Sequence, residues 1–379
     1  MFLQDATGSQ QRYTDTAHNG ITQICNTLLS GGKLAPEDLR LGLIAFRDHP
    51  PQEHSFIIQK YPFTSDFGSF ASNLADLTAE GGGDDSDEPD SQSDALSAAY
   101  KADWRDEATK VVVLITDSPP HGIGEDGDAF PEGSANAKLE IDPLRVATSM
   151  GRAGITLYVI ACEPTLSHNH KRARAFYQGL VKKTGFTICD RGRVVNLGDL
   201  SVLLTLIAGS ALEAVDSESY VAKHQAEVCN MANNQKMSAS EISLRLHGNF
   251  VAAGTQHSTL VVDNTYDQRT QGDRNVDIWF NAENLDEARN KMQQVEGNHI
   301  LAKYQTPGVE QSAAVETQPI SLAQLELCNT LANIIELKAR DAKSASKFSG
   351  LRVSLAHVQV IDLKPTETFI ASEFDATLP

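Results

Sequence analysis

No run of about 18 or more apolar residues occurs in the 379-residue sequence, so no stretch reads as a transmembrane helix. The nearest, Leu200 to Leu212, is short and interrupted by Ser201, Thr205, Gly209 and Ser210. The opening residues lack the basic and apolar regions of a signal peptide. Cysteine is sparse: Cys25, Cys162, Cys189, Cys229 and Cys328 are scattered, odd in number and without a CxxC pair. Free thiols in a reducing, cytoplasmic setting are the expectation. Positive charge is also short, with 32 Lys and Arg against 50 Asp and Glu and a net charge of −18. Nucleic acid and anionic lipid carry the same sign as this chain, so neither is an expected partner, whereas small cations are. Trp104 and Trp279 have no aromatic neighbours that would build a stacking platform for single strands.

What remains is globular composition, 41% hydrophobic and 22% charged, and a length that suits two domains. Over residues 1–215, strand-like and helix-like segments alternate, the pattern of an α/β domain with a mainly parallel, doubly wound sheet flanked by helices. The clearest strands are Leu41 to Phe46, Val111 to Thr116 and Ile155 to Ala161, apolar runs that fit burial on both faces. Helices are expected over Ala17 to Leu28, after Asp142-Pro143, from about Asn169 to Lys183 and over Leu200 to Leu212, with a late strand at Phe186 to Cys189. Residues 216–379 read as a mostly helical α+β region. A helix is expected from Tyr220, a strand at Thr259 to Asp263, capping boxes at Asn284/Glu287 and Ser321/Gln324, and a linker over 306–319.

The chemistry concentrates at the ends of strands. Phe2 and Leu3 lead into Asp5-Ala6-Thr7-Gly8-Ser9, a D-x-T-x-S turn where a first strand would hand over to a helix. Open α/β sheets bind ligands at the carboxyl ends of their strands. One carboxylate and two hydroxyls in a tight turn offer hard oxygen ligands of the kind Mg²⁺ or Mn²⁺ takes. The alternative is that Asp5 or Thr7 caps the following helix. The strand Val111 to Thr116 ends in a second acid, Asp117, followed by Ser118-Pro119-Pro120-His121-Gly122. Between the two lies the acidic run Gly81 to Asp90, which repels itself unless solvated or gathered around a cation.

These segments resemble the von Willebrand factor A domains, over residues 2 to about 215. The resemblance implies a Rossmann-like fold and a metal-ion-dependent adhesion site in which Asp5, Thr7 and Ser9 form the first part and Asp117 the last. Asp90 stands where the middle ligand would precede a helix, with Asp84, Asp85 and Asp87 as alternatives. Ser118 and His121 would rim the site. Arg47-Asp48-His49-Pro50-Pro51, the Gly-Gly-Gly-Asp run and Asp117 to Gly122 resemble most closely a branch related to the A domain of alpha-type kinases and common in fungal proteins. A bound Mg²⁺ (or Mn²⁺ or Ca²⁺) would then coordinate a carboxylate offered by a partner protein. An alpha-kinase-related signalling protein or enzyme, and a scaffold with a vestigial metal site, are the rival readings. Only four residues precede Asp5, so the first strand is short or the true start lies upstream.

Other motifs fail on their surroundings. Gly122 to Gly127 matches GxGxxG but follows two prolines, carries two acids and opens no apolar helix. Gly31-Gly32-Lys33 lacks the flanking residues of a phosphate loop, and neither HExxH nor GxSxG occurs. Ser118 and His121, three residues apart across two prolines, read as a rigid rim and not as nucleophile and base, and no catalytic residue is assigned.

Overall fold

The computed structural model describes residues 1–10, 37–81, 89–106, 108–134, 141–163, 165–184, 194–196, 219–263, 270–293, 300–305 and 312–322, with positions 205, 209, 212, 213, 215 and 216. A six-stranded sheet in the order β3-β2-β1-β4-β5-β6 forms its centre. Its strands are β1 (Phe2–Asp5), β2 (Leu41–Phe46), β3 (Ile58–Thr64), β4 (Lys110–Thr116), β5 (Ile155–Ala161) and β6 (Val194–Asn196). All neighbours pair in parallel except β2 with β3, which is antiparallel. This is the doubly wound α/β architecture expected from the alternating pattern.

Helices α1 (Phe67–Ala75), α2 (Gln92–Tyr100), α3 (Pro143–Arg152), α4 (Thr165–Asn169) and α5 (Ala173–Thr184) belong to the same unit. Alternate residues of each strand feed two different cores. Leu3, Ile44, Phe46, Leu114, Leu157 and Val159 pack with Leu96, Ala147 and Phe176 on one side. Phe2, Leu43, Ala45, Val113, Ile115 and Ile160 pack with Phe70 and Leu74 on the other. Burial on both faces explains why these strands read as unbroken apolar runs. The helix expected from about Asn169 to Lys183 starts later, as α5 at Ala173; Asn169 instead ends the short α4, and His170 to Arg172 separate the two.

Beyond residue 216 lie α6 (Gln225–Asn233), α7 (Ala239–Ala252), β7 (Gln256–Val262), α8 (Thr270–Asn281), α9 (Leu285–Arg289) and β8 (Ala313–Pro319). Val228, Met231, Ile242, Leu246 and Phe250 form a cluster of their own. Helices α8 and α9 instead join the sheet's core through Val276, Trp279, Leu285 and Ala288. Elements on both sides of position 215 therefore share one hydrophobic core. The segment read as a linker, 306–319, contains β8, which pairs antiparallel with β7 from Gln256↔Pro319 to Val262↔Ala313. Ala313, Val315 and Gln318 are half-buried among exposed neighbours, a weak pattern for a strand, yet Val315 packs beside Leu260 in the second core. The expected helix over Ala17 to Leu28 and the strand Phe186 to Cys189 lie outside the described residues, as do most of the helix from Ser321 to Ile335 and most of Leu200 to Leu212.

Asp142 and Pro143 start α3 as expected: the Asp142 carboxylate accepts from Leu144 N at 3.0 Å and Arg145 N at 3.2 Å. Its other oxygen accepts from Leu285 N at 2.8 Å, tying α9 to α3. Replacing Asp142 by alanine removes a cap and a tertiary hydrogen bond together, so a loss of about 1–3 kcal/mol is expected in urea unfolding. A loss within about 0.3 kcal/mol would show that neither contact contributes.

Candidate functional site

The parallel register places the carboxyl ends of β1, β2 and β4 side by side, with Asp5 opposite Phe46 and Gln4 opposite Ile115. The D-x-T-x-S turn leaves β1 at this edge. Asp5 Oδ1 accepts from Thr7 N at 3.0 Å and from Thr7 Oγ1 at 2.6 Å, while its Oδ2 accepts from Thr116 Oγ1 at 2.8 Å. Ser9 Oγ donates to Asp117 Oδ1 at 3.1 Å, joining the turn to the end of β4. Asp90 runs beside Pro120 in an isolated parallel bridge, and Ser118 Oγ donates to its Oδ2. Asp5, Thr7, Asp90 and Asp117 are buried, whereas Ser9 is exposed, so the cluster reaches the surface there.

Electrostatics agree with this convergence. Burial and then the charge of Asp117 raise the Asp5 carboxyl to about 7. Burial, then the charges of Asp5, Asp48 and Asp117, hold Asp90 well above the usual carboxylate range. These acids are close enough to repel one another without a cation to balance them. Asp84, Asp85 and Asp87, the alternative ligands, lie outside the described residues. Among the described residues no group of three or more His, Cys, Asp and Glu side chains is arranged to hold a metal ion by itself. The donor set here is mixed, with hydroxyls of Thr7 and Ser9 beside the carboxylates. Hard oxygens on buried, mutually repelling acids fit Mg²⁺, which takes few protein ligands and keeps several waters.

Two segments hold the turn in place. Arg47, buried beyond the end of β2, donates from Nε to Ala6 O at 3.2 Å and from Nη2 to Thr78 O at 2.7 Å. Glu80 N donates to Ala6 O, and Gly8 N to Gly81 O, each at 3.1 Å. Gln92 and Tyr177 fix the β4 side: Gln92 Nε2 and Tyr177 Oη donate to Ser118 O at 3.0 and 2.7 Å.

A second buried cluster adjoins the first; of its members the sequence assigns only His121, as a residue of the site's rim. His121 Nε2 lies 2.7 Å from Asp48 Oδ1, and its Nδ1 lies 2.8 Å from Asp128 Oδ1. His49 Nε2 is 3.1 Å from both Asp94 Oδ2 and Ser134 Oγ, and Phe130 packs edge-on against both imidazoles. Because Asp94 and Ser134 share one nitrogen of His49, they do not form the relay of a nucleophile, base and orienting acid. His121 likewise spends both nitrogens on carboxylates, and Ser118 Oγ turns to Asp90. The legible signal was the polar triplet Arg47-Asp48-His49 directly after a fully buried strand, at the edge where ligands bind.

Burial opposes charge on His121, but the hydrogen-bonded carboxylates of Asp128 and Asp48 win and raise it to about 9. A raised folded-state value stabilises the fold fully below the unfolded value of 6.5, and that contribution is lost as pH rises through about 9. Stability is therefore expected to fall by a few kcal/mol between about pH 6.5 and 9.5. Urea unfolding across that range, compared with His121→Gln, checks it: a variant with the same slope as wild type would remove His121 as the cause.

The glycine-rich segment 122–127 takes a different role from phosphate binding. Gly122 and Gly124 have φ of 84° and 87°, and a Cβ at Gly122 would lie 2.6 Å from Gly133 backbone atoms. Glu125 turns its own carboxylate to the start of α5, accepting from Arg172 N at 2.6 Å and Ala173 N at 3.1 Å. A protein carboxylate thus fills the anion position at that helix N-terminus.

The family model described as von Willebrand factor type A domain matches residues 1–189. Residues 1–189 form a von Willebrand factor type A domain. Among solved structures, the chain is similar to the conserved hypothetical protein BatB from Bacteroides thetaiotaomicron, at 15% identity and a TM-score of 0.35, covering 56% of this chain and 96% of that one. It is also similar to the pilus adhesin SpaC from Lactobacillus rhamnosus GG in its open conformation, at 12% identity and a TM-score of 0.41, covering 57% of this chain and 30% of the adhesin. No curated protein matches the chain. In this von Willebrand factor A domain, the D-x-T-x-S turn, Asp90 and Asp117 share one sheet edge. No helix among the described residues is long and apolar enough to cross a membrane.

Proposed function

We propose that the domain is a divalent-metal-dependent protein-binding module and not an enzyme. Asp5, Thr7, Ser9, Asp90 and Asp117 would hold Mg²⁺, or Mn²⁺ or Ca²⁺ in its place, directly or through water. A bound ion supplies Lewis acidity that favours an anionic oxygen, and a partner's carboxylate is the ligand proposed for the remaining position. The observation that carries this reading is the meeting of the β1 turn and the end of β4, through Ser9 and Asp117, with Asp90 fastened beside them by Ser118. The match to the von Willebrand factor A family supports the protein-binding part.

The chain's own residues do the positioning. Arg47 and residues 78–81 fix the turn, Gln92 and Tyr177 fix Ser118, and the exposed Ser9 marks the side open to a partner. The carboxylate step is tested with Mn²⁺ in place of Mg²⁺. A peptide bearing one Glu should displace water from the protein-bound ion and lower its enhancement of water proton relaxation, whereas the matching Gln peptide should not. Equal behaviour of the two peptides would contradict a carboxylate ligand.

A further inference from the structure

Asp48 follows β2 by two residues, at the edge where β1 ends in Asp5. It is wholly buried. One oxygen, Oδ1, accepts from His49 N at 2.6 Å and faces His121 Nε2 at 2.7 Å. The other, Oδ2, is buried and has no hydrogen-bond partner among the described residues. A buried carboxylate oxygen left without a donor costs about 1–3 kcal/mol or more, so such an atom normally faces a donor.

The surroundings point to where that donor comes from. Ser91, next to Asp90, donates from both N and Oγ to Arg47 O, the carbonyl that immediately precedes Asp48. On its other side Asp90 N donates to Pro119 O, and His121 N donates to Asp90 O. Asp48 and His121 thus join the two strand tails between which Asp90 is held, and Asp48 is near enough for its charge to act on Asp90. Mg²⁺ sheds its hydration water reluctantly, and its remaining waters need acceptors around the protein ligands.

Resting on the metal-binding reading above, we propose that Asp48 is an outer-sphere residue of the metal centre, its Oδ2 accepting a hydrogen bond from a water of the bound ion. His121 is the positioning residue that holds Asp48 in that orientation by occupying Oδ1, and Asp128 holds His121 from its other nitrogen. This role accounts for a buried acid that has no ligand function in the D-x-T-x-S pattern, and for its unpaired oxygen.

The test is the affinity of the full chain for Mn²⁺, read from the free-ion signal in electron paramagnetic resonance, for wild type, Asp5→Ala and Asp48→Asn. The asparagine change is chosen over truncation because an amide keeps an acceptor for His121 while replacing Oδ2 with a group that cannot accept. Loss of an outer-sphere partner typically weakens metal affinity 10–100-fold, and about tenfold or more is expected for Asp48→Asn. Asp142→Ala, which removes a carboxylate bonded to Leu144 N, Arg145 N and Leu285 N and to none of the proposed ligands, should leave the affinity unchanged. Wild-type affinity in Asp48→Asn, with binding lost in Asp5→Ala, overturns the Asp48 role and leaves the metal reading standing. Absence of Mn²⁺ binding in wild type overturns both. Should Asp48→Asn fail to fold, the double variant Asp48→Asn/His121→Gln removes the buried anion and cation together, and the same comparison decides.

Discussion

Replacing His121 by alanine is expected to cost about 3–5 kcal/mol of stability, measured as the loss in urea or guanidinium unfolding near neutral pH. The imidazole is 1% exposed and lies between the side chains of Asp48 and Asp128, themselves 0% and 1% exposed. Removing one member of a buried charged set leaves its partners desolvated and uncompensated, which costs more than the pair contributes when intact. Asp128 survives the loss better, because Gly122 N and Phe130 N also donate to it at 2.7 and 2.9 Å. Asp48 keeps only the His49 amide among the contacts described above. The damage should therefore concentrate at the β2 tail, and His121→Gln, which can still donate to Asp48, should recover part of it. A loss below about 1 kcal/mol for His121→Ala would show that the imidazole does not balance these acids.

Trp279→Ala is expected to cost a similar amount, about 3–5 kcal/mol, although Trp279 lies 90 residues beyond the end of the family match. Its side chain is fully buried in the core shared by the sheet and α5. The indole meets Phe176 edge-on with ring centroids 5.2 Å apart. A Cβ at Gly179 would come within 2.4 Å of Trp279 Cβ, so the glycine is what lets α8 lie against α5. Trp279 Nε1 has no acceptor among the described residues, so Trp279→Phe gives up little hydrogen bonding and should cost much less than the alanine change. If alanine at 279 were harmless, the packing of α8 on the domain would not contribute to its stability.

Much of the sheet was legible because β2, β4 and β5 are buried on both faces and carry almost nothing but apolar residues. Edge and surface elements were not. Strand β3 holds Lys60 and Pro62 and is mostly half-exposed, as an edge strand tolerates, so no alternation marks it. Helix α1 is built largely of Phe, Gly, Ser, Ala and Asn, and its start depends on Asp66, whose carboxylate accepts from Gly68 N and Ser69 N. Strand β8 reads as a linker because its pairing with β7 is long-range and its side chains are largely exposed.

The site divides in the same way. Asp5, Thr7 and Ser9 sit in one pentapeptide, and Asp117 ends an unmistakable strand, so their common location follows from the rule about strand ends. That Asp90 lies beside them is a matter of chain geometry that its acidic run does not show: its backbone bridges to Pro120 and its neighbour Ser91 bonds to Arg47 O. The set of Asp48, His121 and Asp128 was further out of reach, since it joins positions 73 and 7 residues apart in sequence. Nothing in local spacing shows that one histidine will take both carboxylates.

The central claim is that the strand-end cluster binds a divalent ion, and thermal unfolding tests it most directly. Wild type, Asp5→Ala and Asp117→Ala are stripped with chelator and unfolded with and without about 1 mM Mg²⁺; for a dissociation constant of about 0.1 mM, linkage gives roughly 1.4 kcal/mol of stabilisation. The account predicts a rise of a few degrees in the wild-type Tm that both variants lack. A folded wild-type protein whose Tm ignores Mg²⁺ and Mn²⁺ alike, or variants that keep the full shift, would contradict it.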